Sequence, residues 1–366
     1  MVGRRTMELA TAKRAVVVGV TGIQGGALAT RLRDRGWEVL GLARRPESDL
    51  PGVTPVPADL TDPASVRQAL DRIDPTHVFF TAWSRQATEA ENRQVNGGML
   101  RNLLEAVAGA PSLQHVALTT GLKHYLGPFE AYALSKPDTP FREEQARLPY
   151  ENFYYDQEDI LWEFAANDAF TWSVHRPHTV IGWAIGNAMN MGVTLAIYAA
   201  IARETDRPFV FPGSPEQYNA VTDVTDARIL ARHLEWAAVT PEASNEAFNI
   251  VNGDQFRWRR MWGIIANGLG VEAAEYPGQP TPLVEQMADA APVWDRIVEK
   301  HGLVPHPIEE LASWWHTDAD LGRTIETFTD MTKSRVRGFT DYQPTDRSFL
   351  DLFERLRAER IIPPLT

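Results

Sequence analysis

The sequence predicts an α/β protein with a doubly wound parallel sheet. Up to about residue 180, short β-branched segments alternate with longer segments of helical periodicity, which is typical of a parallel sheet covered by helices on both faces. A glycine-rich turn and a helix directly follow the first of these strands. We therefore expect a Rossmann domain over residues 14–185. A smaller, mostly helical substrate lobe is expected over residues 186–366, with some segments returning to the Rossmann core.

The turn after the first strand has the glycine spacing of a dinucleotide-binding loop. Val16–Val18 form the strand, and Gly19, Gly22 and Gly25 follow at three-residue intervals before a helix that opens near Ala27. Glycines let the backbone turn tightly and approach a pyrophosphate, which then faces the free N–H groups of the helix. We expect cofactor contacts from this turn and the start of the helix: Gly19, Thr21, Gly22, Ile23 and Gln24.

The end of the second strand indicates which dinucleotide binds. This strand, over residues 37–43, ends in Arg44 and Arg45, about 20 residues beyond the glycine turn. An acidic residue here would hold a ribose 2′-hydroxyl, whereas arginines suit a 2′-phosphate. The alternative is a pair of solvated surface arginines. We favour NADP(H) over NAD(H) as the cofactor.

Later strands bring further side chains to the same edge of the sheet. A third strand around residues 54–56 leads to Asp59, within reach of an adenine amino group, and to Leu60. A fourth strand covers residues 77–83. Doubly wound sheets bind ligands at the carboxyl ends of their strands, so we expect the end of this strand to lie under the cofactor: Thr81, Ala82 and Trp83.

The second half of the domain supplies the candidate catalytic residues. Following a core-packing helix over residues 89–107, a fifth strand over residues 115–121 runs directly into Lys123. Short-chain reductases commonly pair a tyrosine with a lysine four residues later. Here that offset places Glu158 after Tyr154 and Asp159 after Tyr155. The missing cation must come from elsewhere, and Lys123 is the candidate.

Several segments spread over nearly the whole chain share the pattern of one family. They are GVTGI at 19–23, ARRP at 43–46, TGLKHYLGPF at 120–129, NFYYDQED at 152–159, SVHRP at 173–177, NEAFN at 245–249 and GF at 338–339. With these the chain resembles the plant progesterone 5β-reductase and iridoid synthase group of atypical short-chain reductases (PRISE).

The resemblance implies an NADPH-dependent 1,4-reduction of a C=C bond conjugated to a carbonyl. The family's lysine falls on Lys123 and its catalytic tyrosine on Tyr155, the second of the pair. Tyr155 would stabilise the enolate oxygen left by hydride transfer to the β-carbon. Lys123 would favour ionisation of that tyrosine or orient the nicotinamide ribose. The implied substrate is a small apolar carbonyl compound with a conjugated C=C bond.

The resemblance also extends the expected cofactor and substrate contacts. Two departures from the plant pattern, Thr119 in place of a glutamine and residues 184–187 in place of Ser-Pro-Tyr-Ser, prevent transfer of substrate size and stereochemistry. The additional cofactor contacts are Thr119, Lys123, Tyr155, Val180, Asn187, Ala188 and Met189. Aromatic and apolar residues that suit a pocket wall or the core equally are Phe129, Tyr132, Trp183, Met191, Phe339 and Phe349.

Bulk composition narrows the remaining function classes. A net charge of −12 argues against nucleic-acid binding, which needs clustered cations. No apolar run is long enough for a transmembrane helix, and no apolar core of a signal peptide precedes the first strand. With no cysteine and no metal-ligand spacing, we expect a cytoplasmic protein without a metal. The sequence is compatible with a homodimer.

Other functions on the same fold are a carbonyl reductase, a sugar-nucleotide epimerase and a non-catalytic NADP-sensing regulator. The absent Tyr-x-x-x-Lys pattern weighs against the first two. The presence of both Lys123 and Tyr155 weighs against the third, since a sensor needs no such pair.

Overall fold

The fold is built on a seven-stranded parallel sheet in the order β3-β2-β1-β4-β5-β6-β9. The computed structural model describes residues 13–46, 50–128, 137–187 and 189–365. The strands are β1 (Arg14–Val18), β2 (Glu38–Ala43), β3 (Val53–Pro57), β4 (His77–Phe80), β5 (His115–Thr119), β6 (Thr171–Pro177), β7 (Val180–Ile181), β8 (Thr225–Asp226) and β9 (Glu246–Ile250). The short strands β7 and β8 pair separately.

Strand order reverses beside β1, which lies between β2 and β4. Val18 at the end of β1 pairs with Leu42 in β2 and with Phe80 in β4. The chain leaves β1 and β4 toward opposite sides, so a crevice opens at their carboxyl ends. Such a switch point is where open α/β sheets bind ligands.

Helices cover both faces of the sheet and form a second layer beyond it. Those in the described residues are α1 (Ile23–Asp34), α2 (Pro63–Leu70), α3 (Glu89–Val107), α4 (Lys123–Leu126), α5 (Phe153–Asn167), α6 (Met191–Glu204), α7 (Pro215–Asn219), α8 (Ala227–Val239), α9 (Trp258–Leu269), α10 (Leu283–Gln286), α11 (Ala290–His301), α12 (Ile308–Leu311), α13 (Trp314–Leu321), α14 (Thr332–Val336) and α15 (Thr345–Ala358).

Alternating side chains of the buried strands divide the core between the two faces. Val16 packs with Leu103 of α3 on one face, and Val17 packs with Leu28 of α1 and Leu230 of α8 on the other. Successive strand residues point to opposite sides, so a strand buried on both faces is apolar throughout. This explains the continuous valine run with which β1 begins the domain.

The helical lobe has its own apolar core. It is formed by α6, α9, α11 and α15, whose buried residues make one cluster. The rings of Phe209 and Trp262 stack there with centroids 4.3 Å apart, and Trp294 is fully buried. Many of the late tryptophans therefore fill this core. None of the helices in the described ranges is long and apolar enough to cross a membrane.

The predicted α/β class and its elements are confirmed, with small shifts at strand ends. The helix over 89–107 has the predicted bounds. β4 and β5 end at Phe80 and Thr119, before the predicted 83 and 121. Segments beyond residue 186 return to the Rossmann core, where β9 pairs with β6 and α8 packs against α1.

Candidate active site

A cleft of about 980 Å³ lies at the switch point of the sheet. It runs from the end of β2 to the loop after β7, across the carboxyl ends of β1 and β4. Its walls combine residues from both halves of the sheet with the segment that precedes α6. The lining residues are Gly19, Thr21, Gly22, Leu42, Ala43, Arg44, Arg45, Ala58, Asp59, Leu60, Thr61, Thr81, Ala82, Trp83, Ser84, Met99, Ile185, Gly186, Asn187 and Met189.

The floor of the cleft is the glycine turn, and two of its positions accept only glycine. Gly19 has a φ of +82°, and a Cβ there would lie 3.1 Å from the backbone of Ala82. A Cβ on Gly25 would lie 2.2 Å from the carbonyl oxygen of Gly19. The first glycine permits the turn, and the third lets α1 start directly against it. The N-terminus of α1 at Gly22 has no side-chain cap, so its backbone N–H groups can face an anion.

One end of the cleft is basic. Arg44 and Arg45 follow β2, are exposed and line the cleft. Nearby, the Asp59 carboxylate accepts hydrogen bonds from the Thr61 backbone N–H at 2.9 Å and from its hydroxyl at 2.7 Å. Those hydrogen bonds, with the charge of Arg44 adding to them, lower the pKa of Asp59. Two guanidinium groups at this end suit a phosphate on the adenosine ribose.

Most of the sequence-predicted cofactor residues meet in this cleft, but not all of them do. Ala188 lies outside the described residues. Ile23 instead packs with Ala184 and Ala227, with Val180 beside them. Gln24 Oε1 and Thr119 Oγ1 are buried without a hydrogen-bond partner in the described part of the chain. Lining residues that were not predicted are Leu42, Ala43, Ala58, Thr61, Ser84, Met99, Ile185 and Gly186.

Lys123 lies beside the opposite end of the cleft, next to a pair of aromatic rings. It is the first residue of α4, and only 9% of it is exposed. Its Nζ lies 5.9 Å from the ring centroid of Trp83 and 5.2 Å from that of Phe153. These two rings stack with centroids 6.1 Å apart. Because Trp83 lines the cleft, the ammonium group lies beside the part of the cleft where β4 ends.

The tyrosine whose hydroxyl reaches this end of the sheet is Tyr154. A Cβ added to Gly121 would lie 3.2 Å from Tyr154 Oη and 3.3 Å from the carbonyl oxygen of Pro177. Gly121 follows β5, and Pro177 ends β6. The Tyr154 hydroxyl therefore lies at the carboxyl ends of two adjacent strands. Its ring also contacts Phe153, with centroids 4.2 Å apart.

Tyr155, to which the sequence resemblance assigned the catalytic role, points elsewhere. Its hydroxyl donates to the carbonyl oxygen of His124 at 2.5 Å and accepts from the backbone N–H of Leu148 at 3.0 Å. The Arg147 guanidinium covers its ring at 4.8 Å. A hydroxyl held by two backbone groups is not available to a substrate oxygen. The assignment to Tyr155 does not fit this position, and Tyr154 replaces it as the candidate.

Neither tyrosine has the lowered pKa that was expected from a neighbouring lysine. Burial raises the pKa of Tyr154, and the charge of Glu89 adds to the effect. Burial also raises the pKa of Tyr155. Both phenols are therefore protonated at neutral pH, and Tyr154 is a hydrogen-bond donor rather than a phenolate.

The residue four positions after Tyr154 has a structural role in place of the usual lysine. Glu158 is fully buried and pairs with Arg176 at 2.9 Å and with Arg147 at 3.0 Å. Burial alone would raise the pKa of Glu158, but hydrogen bonding to His124 and the charge of Arg176 lower it to about 2. The Glu158–Arg176 ion pair joins α5 to β6.

The predicted substrate-pocket residues are mainly core residues. Phe349 is fully buried in the core of the helical lobe, together with Met191. Phe339 packs under the sheet, with its ring 4.6 Å from that of His233. Trp183 borders the lobe core under the guanidinium of Arg355 at 4.0 Å. The pocket-wall prediction does not fit Phe339 and Phe349, and Phe129 and Tyr132 lie outside the described residues.

Comparisons with known proteins agree with this architecture. Residues 59–363 match the family of the PRISE-like Rossmann-fold domain. The (S)-8-oxocitronellyl enol synthase of Nepeta racemosa is 41% identical over 362 residues, covering 95% of this chain and 93% of that protein. The 3-oxo-Δ(4,5)-steroid 5β-reductase of Arabidopsis thaliana is 39% identical over 363 residues, with the same two coverages.

Solved structures give the fold alone. The Bordetella bronchiseptica enzyme WbmH in complex with NAD⁺ superposes with a TM-score of 0.64 at 14% identity, covering 94% of this chain and 98% of that one. With a cleft at the switch point of the sheet, and with relatives matched over nearly its whole length, the chain belongs to the PRISE-like Rossmann-fold family.

Proposed function

We propose that the protein is an NADPH-dependent reductase that acts on the C=C bond of small, apolar enones and enals. The observation that carries the proposal is that Lys123 and Tyr154 both lie against the Phe153 ring, which stacks on the cleft-lining ring of Trp83. The names of two relatives support the reaction type, since one is a reductase of 3-oxo-Δ(4,5)-steroids and the other an enol synthase.

The cleft fits NADPH in two respects. Its turn carries glycines at 19, 22 and 25, and glycine lets the backbone approach a pyrophosphate closely. Its basic end presents Arg44 and Arg45, and guanidinium groups bind phosphate through paired, charge-assisted hydrogen bonds. We infer that these two arginines hold the 2′-phosphate and make NADPH the preferred cofactor.

NADPH, when bound, supplies the hydride that adds to the β-carbon of the substrate. The protein's part is to stabilise the negative charge that then develops on the carbonyl oxygen. A protonated Tyr154 donates a hydrogen bond to that oxygen, and the Lys123 ammonium adds a positive charge in a site walled by the Trp83 and Phe153 rings. Preorganised donors in such surroundings stabilise an oxyanion more than water does.

The raised pKa of Tyr154 suits this role. A phenol that stays neutral at physiological pH keeps its proton in the resting enzyme and can donate a hydrogen bond to an enolate. The α-carbon then takes its proton from solvent.

The test is a progress curve of NADPH absorbance with matched substrates. We expect steady NADPH oxidation with 2-cyclohexen-1-one and none with cyclohexanone, because the saturated ketone has no conjugated C=C bond. Oxidation with cyclohexanone would favour a carbonyl reductase instead. NADPH binding without turnover of any enone or enal would overturn the proposal.

A further inference from the structure

The helix that carries Lys123 is a single turn whose position depends on its neighbours. α4 has only four residues, and no side chain caps its start at Leu122. Forming one isolated helical turn is unfavourable, because several dihedral angles are fixed for few hydrogen bonds. The place of α4, and with it the place of Lys123, is therefore set by contacts with other elements.

Tyr125, the third residue of this turn, is buried and bound at its hydroxyl. It is 3% exposed, and its ring stacks on that of Phe141 with centroids 5.0 Å apart. Its hydroxyl donates to Asn249 Oδ1 at 2.7 Å and accepts from Arg176 Nη1 at 3.2 Å. Arg176 of β6 and Asn249 of β9 are paired in register, so the hydroxyl is bound to two neighbouring strands of the sheet.

Arg176 is itself held by a buried carboxylate. Its Nε and Nη2 donate to Glu158 Oε1 at 3.3 and 2.9 Å, while its Nη1 donates to Tyr125. Arg176 is 3% exposed and Glu158 is fully buried. A guanidinium group presents its donors in a rigid planar arrangement, so the carboxylate sets the direction in which Nη1 points.

The surroundings of the Lys123 ammonium group depend on where this turn lies. Its Nζ is 5.2 Å from the ring centroid of Phe153 and 5.9 Å from that of Trp83, and both rings belong to other parts of the chain. His124, the next residue of the turn, faces the same carboxylate as Arg176, with Nδ1 3.4 Å from Glu158 Oε1. A displacement of α4 would move the ammonium group relative to both rings.

Stability alone does not account for the buried pair of Arg176 and Glu158. The energy needed to remove two charges from water offsets much of their attraction, and well-packed apolar residues often stabilise a fold equally well. What apolar residues cannot supply is a directed donor. The pair provides one at the Tyr125 hydroxyl.

We propose that Arg176 is a positioning residue for Lys123 and that it acts through the hydroxyl of Tyr125. The inference rests on the proposed function, in which the Lys123 ammonium stabilises the enolate. It adds two residues that do not line the cleft. A displacement of a catalytic group by about 1 Å can lower a rate by orders of magnitude, so such residues affect turnover without touching the substrate.

Two variants remove the contact in different ways. Tyr125→Phe deletes the hydroxyl and keeps the ring. The paired change of Arg176→Met with Glu158→Leu removes both charges together, so that neither is left buried alone, and it should keep or raise the melting temperature. Arg147, which also contacts Glu158, retains its ion pair with Asp159 at 2.8 Å.

NMR follows the Lys123 side chain without any turnover. The chain has five lysines, and the ring currents of Phe153 and Trp83 should shift the Cε proton resonances of Lys123, which are identified by their loss in Lys123→Met. Both variants should move these resonances toward those of an exposed lysine. Tyr198→Phe is the control and should leave them in place, since Tyr198 is equally buried and hydrogen-bonded at its hydroxyl but lies in the helical lobe.

Kinetics shows whether the contact acts through Lys123. Both variants should lower kcat for 2-cyclohexen-1-one about tenfold or more, with KM for NADPH nearly unchanged, whereas Tyr198→Phe should lower the melting temperature alone. In the Lys123→Met background, Tyr125→Phe should lower kcat no further, because effects of coupled residues are not additive.

Two results would overturn the proposal. One is an unchanged set of Lys123 resonances in the folded Tyr125→Phe protein. The other is an equal loss of kcat from Tyr125→Phe with and without Lys123. If the wild-type protein reduces no enone or enal, the proposed function fails, and the resonances still decide whether Arg176 and Tyr125 position Lys123.

Discussion

The backbone of Lys123 and the backbone of Tyr154 are joined by one buried side chain, that of Asn152. Its Nδ2 donates to the carbonyl oxygen of Lys123 at 2.7 Å, and its Oδ1 accepts from the N–H of Tyr154 at 3.0 Å. Asn152 is 2% exposed. The N-cap of α5 thereby also fixes the start of α4, and the two candidate catalytic residues are held in one frame.

Asn152→Ala should therefore affect both stability and catalysis. Losing a buried hydrogen bond and an N-cap should lower the free energy of unfolding by about 1–3 kcal/mol. Displacement of the two residues should lower kcat about tenfold or more, measured with 2-cyclohexen-1-one at saturating NADPH. Thr88→Ala removes the cap of α3 and is the control, since it should reduce stability and leave kcat nearly unchanged. Equal kcat losses in both variants would contradict a specific link.

Phenylalanine substitutions should separate the two adjacent tyrosines. Tyr154→Phe removes the proposed enolate donor and should lower kcat about 100-fold or more, with the Kd for NADPH almost unchanged. Tyr155→Phe removes two hydrogen bonds to the backbone and should lower the free energy of unfolding by about 1–2 kcal/mol with a small effect on kcat. The opposite pattern would return the catalytic role to Tyr155.

Cofactor preference should depend on the two arginines after β2. The double substitution Arg44→Ala with Arg45→Ala should weaken NADPH binding about 10- to 100-fold, because charge-assisted hydrogen bonds to a phosphate are lost. NADH, which lacks the 2′-phosphate, should be affected far less in the same titrations. Arg67→Ala, in α2 and outside the cleft lining, is the control. Equal losses for both cofactors would refute the 2′-phosphate assignment.

Acid should destabilise the fold through buried histidines. Burial lowers the pKa of His77 to about 4 and those of His115 and His233 to about 3. The unfolded chain binds these protons below about pH 6.5, whereas the folded chain does not, so stability is complete above that pH and falls as the pH decreases. Each histidine should contribute up to about 1.4 kcal/mol per pH unit in that range.

Urea unfolding at pH 7.5, 6.0 and 5.0 measures this slope. Burial raises the pKa of Glu143, which opposes the trend in acid because the folded chain binds that proton more readily than the unfolded chain does. His115→Gln should reduce the slope while retaining a polar side chain among Thr171 and Ser173. A free energy of unfolding that stays constant between pH 7.5 and 5.0 would contradict the buried neutral histidines.

Features that depend on local sequence could be predicted, whereas those that depend on how distant elements pack together could not. The glycine turn and the helix over 89–107 follow from spacing and periodicity within one segment. Tyr154 and Tyr155 differ by one residue, which is a rotation of about 100° around the helix. The packing of α5 against α3 and the sheet decides which of them faces the sheet edge. The sequence motif contains two adjacent tyrosines and does not show which one that is.

The same limit applies to the aromatic residues. Phe349 and Phe339 are apolar enough for either a pocket wall or a core, and their burial follows from contacts with distant elements.

Deuterium transfer tests the central claim most directly, because it identifies the carbon atom that receives the hydride. NADPH deuterated at C4 of the nicotinamide would be used with 2-cyclohexen-1-one, and the product examined by NMR. We predict cyclohexanone that carries deuterium at C3, the former β-carbon. Deuterium on the carbinol carbon of 2-cyclohexen-1-ol would contradict the account, since it would mean reduction of the carbonyl group instead.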